Sequence, residues 1–277
     1  MRTLSPLPLL VVVTSISGLA ACSTYSVRRS ALVPHVAPIT RSGQAMERGA
    51  ESSLGVSTLV QAGAPTEVAN ANAGLFIPRT QVNAAFRARY NERTDVGFTW
   101  EQGLGKGATK LSPDQPDIDA GDVYGGGIAI FHSARTRNPD FSIGIAADIM
   151  LFSIPFIEYR TCVENCIEGT DITRGRNSIA VASLGIIPSY KLSRWTLFGG
   201  LTARNHPTID KGSVDNGILV SDDEVSAGDF NIIANAGAEL DLGDGFRAMV
   251  HIYQPMTANP VRYKPTIGIG VTLPLAD

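Results

Sequence analysis

Apolar and polar side chains alternate repeatedly along the chain after residue 66, and this pattern limits the folds that the chain can adopt. Residues 141–151 illustrate it: Phe, Ile, Ala or Leu occupies every second position, and Ser, Gly, Ala, Asp and Met lie between. Successive side chains of a strand point to opposite faces, so this period of two predicts strands with one apolar face. Ten segments carry the pattern: 67–76, 80–90, 94–102, 122–133, 140–152, 177–191, 194–203, 229–241, 245–254 and 265–275.

The length of these segments indicates which kind of β protein they form. A soluble sandwich or barrel turns the apolar face inward, whereas a transmembrane barrel turns it towards lipid. Soluble strands average about five or six residues, and membrane-crossing strands need about 9–11, which most of these segments reach. We therefore predict an all-β fold: an antiparallel up-and-down transmembrane β-barrel of about ten strands, with about eight or twelve as alternatives.

The connections between the segments differ systematically in length. Four are short, at 91–93, 134–139, 192–193 and 243–244, whereas four of the five on the other side are long, at 103–121, 153–176, 204–228 and 255–264. Bacterial outer-membrane barrels have short periplasmic turns and longer external loops. We therefore predict a bacterial outer-membrane location, with the long loops outside and the N-terminus periplasmic.

The N-terminus carries the marks of an export signal. Arg2 precedes an apolar stretch at 4–19, and a small-residue site, Leu19-Ala20-Ala21-Cys22, follows. A short basic region, a short apolar region and such a site predict a secretory signal peptide.

The same site resembles the lipobox of bacterial lipoproteins. The resemblance implies removal of residues 1–21 and attachment of lipid, including palmitate, to Cys22. Because Ser23 rather than an acidic residue follows, it also implies sorting to the outer membrane. An ordinary signal peptide followed by a chance cysteine is the alternative.

Residues 22–65 differ in composition from the rest of the chain. Ser, Thr, Ala, Arg and Gly dominate, and three prolines interrupt the stretch without a sustained apolar period. Such a stretch buries little apolar surface and predicts a flexible linker. The expected organisation is therefore a signal peptide at 1–21, a lipidated linker at 22–65 and a β-barrel at 66–277.

The two remaining cysteines, Cys162 and Cys166, are separated by three residues. An exported chain meets an oxidising compartment, where a disulfide is the default. A thioredoxin-like redox site would have two intervening residues, and no other Cys or His lies within ten residues to complete a metal site. We predict a structural disulfide between these two cysteines.

Charged side chains on the polar faces of the segments would point into the lumen. Opposite charges in a narrow lumen should pair, because unpaired buried charge is costly. The predicted lumen network comprises Arg87, Arg89, Asp95, Glu101, Asp148, Glu239, Asp241 and Arg247. The same faces carry many Gly and Ala residues, so a plugged barrel and a very narrow pore both fit.

Few residues of the chain are candidates for catalysis. His132 or His251 with Ser133 or Ser142 could serve an enzyme that acts on lipid, but no Gly-x-Ser-x-Gly motif is present. We expect no enzymatic activity, no cofactor and no metal site. The net charge of −3 argues against a nucleic-acid partner, which leaves membrane lipid, bound by the acyl anchor and the barrel surface.

These observations favour an outer-membrane lipoprotein with a structural or narrow-pore barrel. A periplasm-facing soluble β-sandwich or barrel that binds a ligand or partner is one alternative. A barrel enzyme acting on lipid is another.

Overall fold

In the computed structural model, the described residues are 24–35, 41–47, 49–60, 66–67, 73–104, 121–164, 169–209, 214–215, 218–219, 225–256 and 265–276. Within them no helix has the length and hydropathy that a membrane span requires. They form fifteen strands: β1 (Thr24–Leu32), β2 (Ala50–Leu59), β3 (Thr66–Glu67), β4 (Ala73–Phe76), β5 (Thr80–Arg89), β6 (Thr94–Leu104), β7 (Tyr124–Arg135), β8 (Phe141–Glu164), β9 (Thr170–Leu192), β10 (Trp195–Ile209), β11 (Val214–Asp215), β12 (Ile218–Leu219), β13 (Val225–Gly243), β14 (Phe246–Pro255) and β15 (Thr266–Ala276).

Ten of these strands close into one antiparallel barrel. Around the wall they follow the order β2-β5-β6-β7-β8-β9-β10-β13-β14-β15, and β15 pairs with β2 to close the ring. The closing register places Ile269 opposite Val56 and Val271 opposite Leu54. The predicted ten-stranded up-and-down barrel is confirmed.

The two faces of the wall differ in chemistry as the alternation predicts. Large apolar side chains project outward, with Ile128 69% exposed, Ile149 60% and Ile269 62%, whereas Ala146 and Met150 on the inner face are buried. An apolar belt of this size is unfavourable in water and matches the lipid-facing band of membrane barrels. The alternative of a soluble β-sandwich or barrel, with its apolar face inward, is therefore wrong.

The barrel begins earlier in the chain than the sequence predicts. Its first wall strand is β2, whereas β4, inside the predicted strand 67–76, pairs in parallel with β1. The expected boundary at residue 66 is therefore incorrect, and the described part of the predicted flexible linker 22–65 contains the strands β1 and β2. Leu54 and Val56 supply an apolar face to β2, but Ser and Gly around them hide the alternation. The predicted signal peptide and Cys22 lie outside the described residues.

The strands differ greatly in height. β8 and β9 have 24 and 23 residues, whereas β5 and β6 have 10 and 11. The predicted loop 153–176 is thus mostly strand. β7 begins at Tyr124, which lies opposite Ser153 of β8. Beyond this point, from Phe156 onward, β8 pairs with β1 instead of β7.

The two ends of the barrel are distinct. At one end, here called the turn end, lie the short connections at 90–93, 136–140, 193–194 and 244–245; the opposite end is the loop end. β1 lies at the loop end, because Thr24 pairs with Glu164 at the far end of β8. The start of β1 and the long connections therefore share one end of the barrel. The prediction of a periplasmic N-terminus concerns residues outside those described.

Candidate functional site in the barrel lumen

The candidate site is the barrel lumen, which holds the chain's own N-terminal part. Towards the end of β1 the chain turns inward. Residues 30–35, which include the last three residues of β1, and residues 41–47 are here called the lumen segment and lie inside the ring of strands. Leu32, Val33, His35 and Arg41 are each at most 4% exposed. From Glu47 the chain continues to the start of β2 at the turn end.

The part of the lumen nearer the loop end is apolar. Ala31, Leu32 and Val33 of the lumen segment pack in one cluster with Phe76, Val123, Met150, Phe152, Ile154, Ile179 and Val181. Burial of these side chains against the inner wall follows the hydrophobic effect, which contributes about 1.5–3 kcal/mol for each large side chain removed from water. This cluster seals the segment against the wall.

Polar contacts fix the backbone of the segment just below that cluster. The amide of His35 donates to Oε1 of Gln81 at 2.8 Å, and Nε2 of His206 lies 2.9 Å from the carbonyl oxygen of Pro34. The His35 ring also contacts the carbonyl oxygen of Pro78. Backbone groups of the segment thus obtain the partners that burial demands.

An ion pair binds the segment to β6 further along. Nη1 of Arg41 donates to both carboxylate oxygens of Asp95, at 2.8 and 2.9 Å. The guanidinium also lies 3.5 Å from the centre of the Phe131 ring, within the range of a cation–π interaction. Both side chains of the pair are about 5% exposed or less, so neither charge is solvated by bulk water.

Gly43 is the point of closest approach between the segment and the wall. Its amide donates to Oγ of Ser189 at 2.6 Å, and Oγ of Ser133 donates to its carbonyl oxygen at 2.8 Å. A Cβ at this position would lie 2.1 Å from the carbonyl oxygen of Ile187 and 2.9 Å from the amide nitrogen of Gly144. Only glycine fits here without displacement of the backbone.

A charge network surrounds the segment in the turn half of the lumen. Glu51 on β2 pairs with Arg87 at 2.6 Å and contacts Arg247 on its other side. Arg247 also lies 3.4 Å from Glu239, which accepts a hydrogen bond from Oγ of Ser42 at 3.3 Å. The network therefore links the wall strands to the segment.

A second group of charges lies on the inner wall of β6, β8 and β10. Nη2 of Arg204 is 3.3 Å from Oε2 of Glu101, and Gln81 donates to the same oxygen at 3.0 Å. On β8, Asp148 accepts a hydrogen bond from Ser183. The side chain of Arg204 is 2% exposed, and a guanidinium buried to this degree requires such a partner.

The structure places most of the predicted lumen charges inside the barrel, where they divide between the two groups just described and the ion pair of Asp95 with Arg41. Arg87, Asp95, Glu101, Asp148, Glu239 and Arg247 face inward, Asp241 is half-buried near the turn end, and Arg89 is exposed and donates to the carbonyl oxygen of Glu47.

Sequence reasoning missed three partners: Arg41, Glu51 and Arg204. Arg41 and Glu51 fall in the predicted linker, and Arg204 directly follows the predicted strand 194–203. A sequence signal existed for Glu51: it lies on the same strand face as Ser53 and Ser57, because all three occupy alternate positions of β2.

The candidate catalytic residues do not come together. Nδ1 of His132, which is exposed on the outer face, lies 3.0 Å from Oγ1 of Thr94, whereas its neighbour Ser133 points inward to Gly43. Ser142 and His251 are buried on the inner face. Nor do His, Cys, Asp and Glu side chains cluster in threes to hold a metal ion anywhere in the described ranges.

Cys162, near the loop-side end of β8, is disulfide-bonded. Its predicted partner Cys166 lies outside the described residues, as does Cys22. The predicted Cys162–Cys166 pairing stays a prediction.

Two cavities adjoin the lumen segment. One of about 60 Å³ lies between the segment and the wall and is bordered by Arg41, Asp95, Glu101, Asp148 and His251, among others. A wider one of about 280 Å³, here called the vestibule, opens at the turn end beside Gln44, Glu47, Glu51, Glu239 and Arg247. Both are large enough for water, which needs roughly 10–15 Å³ on this measure.

Fold and lumen together define the class: a ten-stranded antiparallel transmembrane β-barrel that holds the N-terminal part of its own chain.

No protein-family model matches the sequence, and no curated protein matches it. Among solved structures, the chain is similar to the translocator domain of the autotransporter NalP from Neisseria meningitidis, with 11% identity, a TM-score of 0.35 and coverage of 82% of this chain and 88% of that one. It is also similar to LpxR from Salmonella typhimurium (8% identity, TM-score 0.38, coverage of 81% and 100%) and to the Ralstonia pickettii toluene transporter TbuX (11%, 0.36, 83% and 90%). Likenesses this weak carry no inference about function.

Proposed function

We propose that this protein is an outer-membrane lipoprotein whose barrel has a structural role and encloses a narrow pore that its own N-terminal segment keeps closed. The observation that carries the proposal is the lumen segment. Apolar packing, a buried ion pair and the contacts of Gly43 hold it against the adjacent wall strands β6–β9. A barrel built only as a membrane anchor could fill its lumen with wall side chains alone.

The location rests on the wall and on the sequence. The exposed apolar belt suits lipid, and short turns at one end with long connections at the other are typical of outer-membrane barrels. The lipobox-like site predicts lipid on Cys22. If the long loops face outward, β1 starts on the cell-surface side of the membrane.

We assign no catalytic step to the protein, and its proposed partner is membrane lipid. Ser133 is engaged by the backbone of Gly43, and His132 faces away from it on the outer surface. Neither geometry gives a nucleophile with an adjacent base.

The test is to displace the segment and record current across planar membranes. Gly43→Leu brings side-chain atoms into the carbonyl oxygen of Ile187 and should push the segment off the wall. We expect the wild-type protein to conduct rarely and the folded variant to open frequently. The control is Ala45→Leu, because Ala45 borders the vestibule, where a larger side chain has room.

Heat-modifiable migration on gels would establish that each variant is a folded barrel. A folded Gly43→Leu barrel that stays as quiet as the wild type would contradict the proposal. So would a wild-type protein that conducts steadily.

A further inference from the structure

The lumen segment brings a positive charge into an acidic lumen. Among the described wall residues around the segment, five acids face the interior against three arginines: Glu51, Asp95, Glu101, Asp148 and Glu239 against Arg87, Arg204 and Arg247. Buried Glu158, nearer the loop end of β8, pairs with Arg160 and adds no net formal charge. The wall thus has an excess of two negative charges, which Arg41 of the segment reduces to one.

Arg41 occupies a site with the chemistry of a cation receptor. Asp95 offers both carboxylate oxygens to one side of the guanidinium, at 2.8 and 2.9 Å, and the face of Phe131 lies 3.5 Å from its centre. A carboxylate and an aromatic face are the two groups that bind guanidinium and ammonium ions most readily. Both belong to the wall, so they remain when the segment leaves.

Polar atoms without partners border the cavity beside this site. The adjoining cavity of about 60 Å³ is bordered by His251, which is 3% exposed and has no hydrogen-bond partner for either ring nitrogen within the described residues. Oδ1 of Asp148 and Oγ1 of Thr99, at the same cavity, also have no partner there. Buried polar atoms of this kind indicate bound water or a polar solute.

The vestibule continues the acidic character to the turn end. Besides Glu51, Glu239 and Arg247, three acids and two bases border it: Glu47, Asp241 and Asp244, and Lys191 and Arg194. Acidic rings along a narrow route favour cations over anions, because the local potential concentrates cations and repels anions.

We infer that the lumen, once the segment is displaced, conducts cations in preference to anions, and that Asp95 with Phe131 binds the passing cation in place of Arg41. This inference rests on the proposed pore and names the solute class that the pore admits. The segment therefore acts as a tethered cation that competes with free cations for the same site.

The first experiment measures ion selectivity in the Gly43→Leu barrel under a KCl gradient. We expect a K⁺/Cl⁻ permeability ratio of roughly 3 or more, and Asp95→Asn in that background should lower it about twofold. Asp140→Asn is the matched control, because Asp140 is exposed in a turn outside the lumen and should leave the ratio unchanged. Guanidinium ions should slow the K⁺ current through Gly43→Leu and should lose this effect when Asp95→Asn is added.

A second experiment needs no open pore. In Arg41→Ala, low millimolar guanidinium chloride should raise the midpoint of thermal unfolding relative to the same concentration of KCl, whereas the wild type should show no difference.

The outcomes distinguish failure of the cation site from failure of the pore. A conducting Gly43→Leu barrel without cation preference, and without an effect of Asp95→Asn, would overturn this inference and leave the pore intact. A folded but silent Gly43→Leu barrel would overturn the proposed pore, and the guanidinium measurement would then decide the cation site alone: no stabilisation of Arg41→Ala means that no such site exists.

Discussion

Replacement of Arg41 by alanine should loosen the lumen segment while leaving the barrel wall closed. The change removes the partner of Asp95, a carboxylate that is 3% exposed, and also removes the contact with Phe131. Breaking a buried ion pair from one side costs about 3–5 kcal/mol. Asp95 borders the 60 Å³ cavity, so water can enter the space left by the guanidinium, and we expect the lower end of that range, about 3 kcal/mol.

The loss of docking free energy can be measured as increased exposure of the lumen segment to solvent. A destabilisation of about 3 kcal/mol corresponds to a roughly 100-fold rise in the released population. Met46 in the segment is 4% exposed, so a cysteine introduced there by Met46→Cys should react slowly with a thiol reagent. Adding Arg41→Ala should accelerate labelling by about two orders of magnitude where segment opening is fast relative to labelling.

Two controls make this result interpretable. Arg137→Ala removes an arginine from an exposed turn and should not change the labelling rate of Met46→Cys. The chain without Met46→Cys supplies the background from its native cysteines. A rate that stays within about threefold of the parent would refute the reasoning, since it would mean that the ion pair contributes less than about 0.7 kcal/mol to docking.

Further predictions concern the wall and the N-terminus. Glu51→Gln leaves the two arginines that contact Glu51 without their shared carboxylate and should destabilise the folded barrel by about 3 kcal/mol in urea titrations; an unchanged midpoint would contradict the network. Ile149→Lys places a charge in the apolar belt and should cost about 2–4 kcal/mol near the bilayer centre and less towards its edges, whereas Ile149→Val should cost little. Cys22→Ser should abolish acylation, detected as a loss of lipid mass, without releasing the barrel from membranes washed with carbonate. Mass spectrometry of non-reduced peptides should find Cys162 joined to Cys166, and a bond from Cys162 to Cys22 would rule out acylation of Cys22.

The wall of the barrel could be predicted because its signal is local. Each strand reports its own two faces through a period of two, so Ile145 and Ile149 on β8 indicate an outward face without knowledge of any partner strand. The same parity placed Asp95, Glu101 and Asp148 on inner faces. The lengths of β8 and β9 could not be predicted, because residues 153–160 of β8 and residues 170–176 of β9 carry no regular alternation of apolar and polar side chains.

The contents of the lumen could not be predicted for a different reason. Residues 30–35 and 41–47 show no sustained apolar period, which is the mark of a linker, yet they are buried because a wall from elsewhere in the chain surrounds them. Their contacts join positions far apart: Arg41 and Asp95 are separated by 54 residues, and Ser42 and Glu239 by 197. No local pattern encodes such pairs.

Local sequence was therefore sufficient to predict nine of the ten wall strands and their outward apolar face, because each of these follows from neighbouring residues. The export signal stays a prediction. Three features are visible only in the folded structure: the wall begins at Ala50, β1 lies at the loop end and the segment around Gly43 occupies the lumen. These features depend on closure of the ring, which creates an enclosed space in which a polar, irregular stretch of chain finds its hydrogen-bond and ion-pair partners.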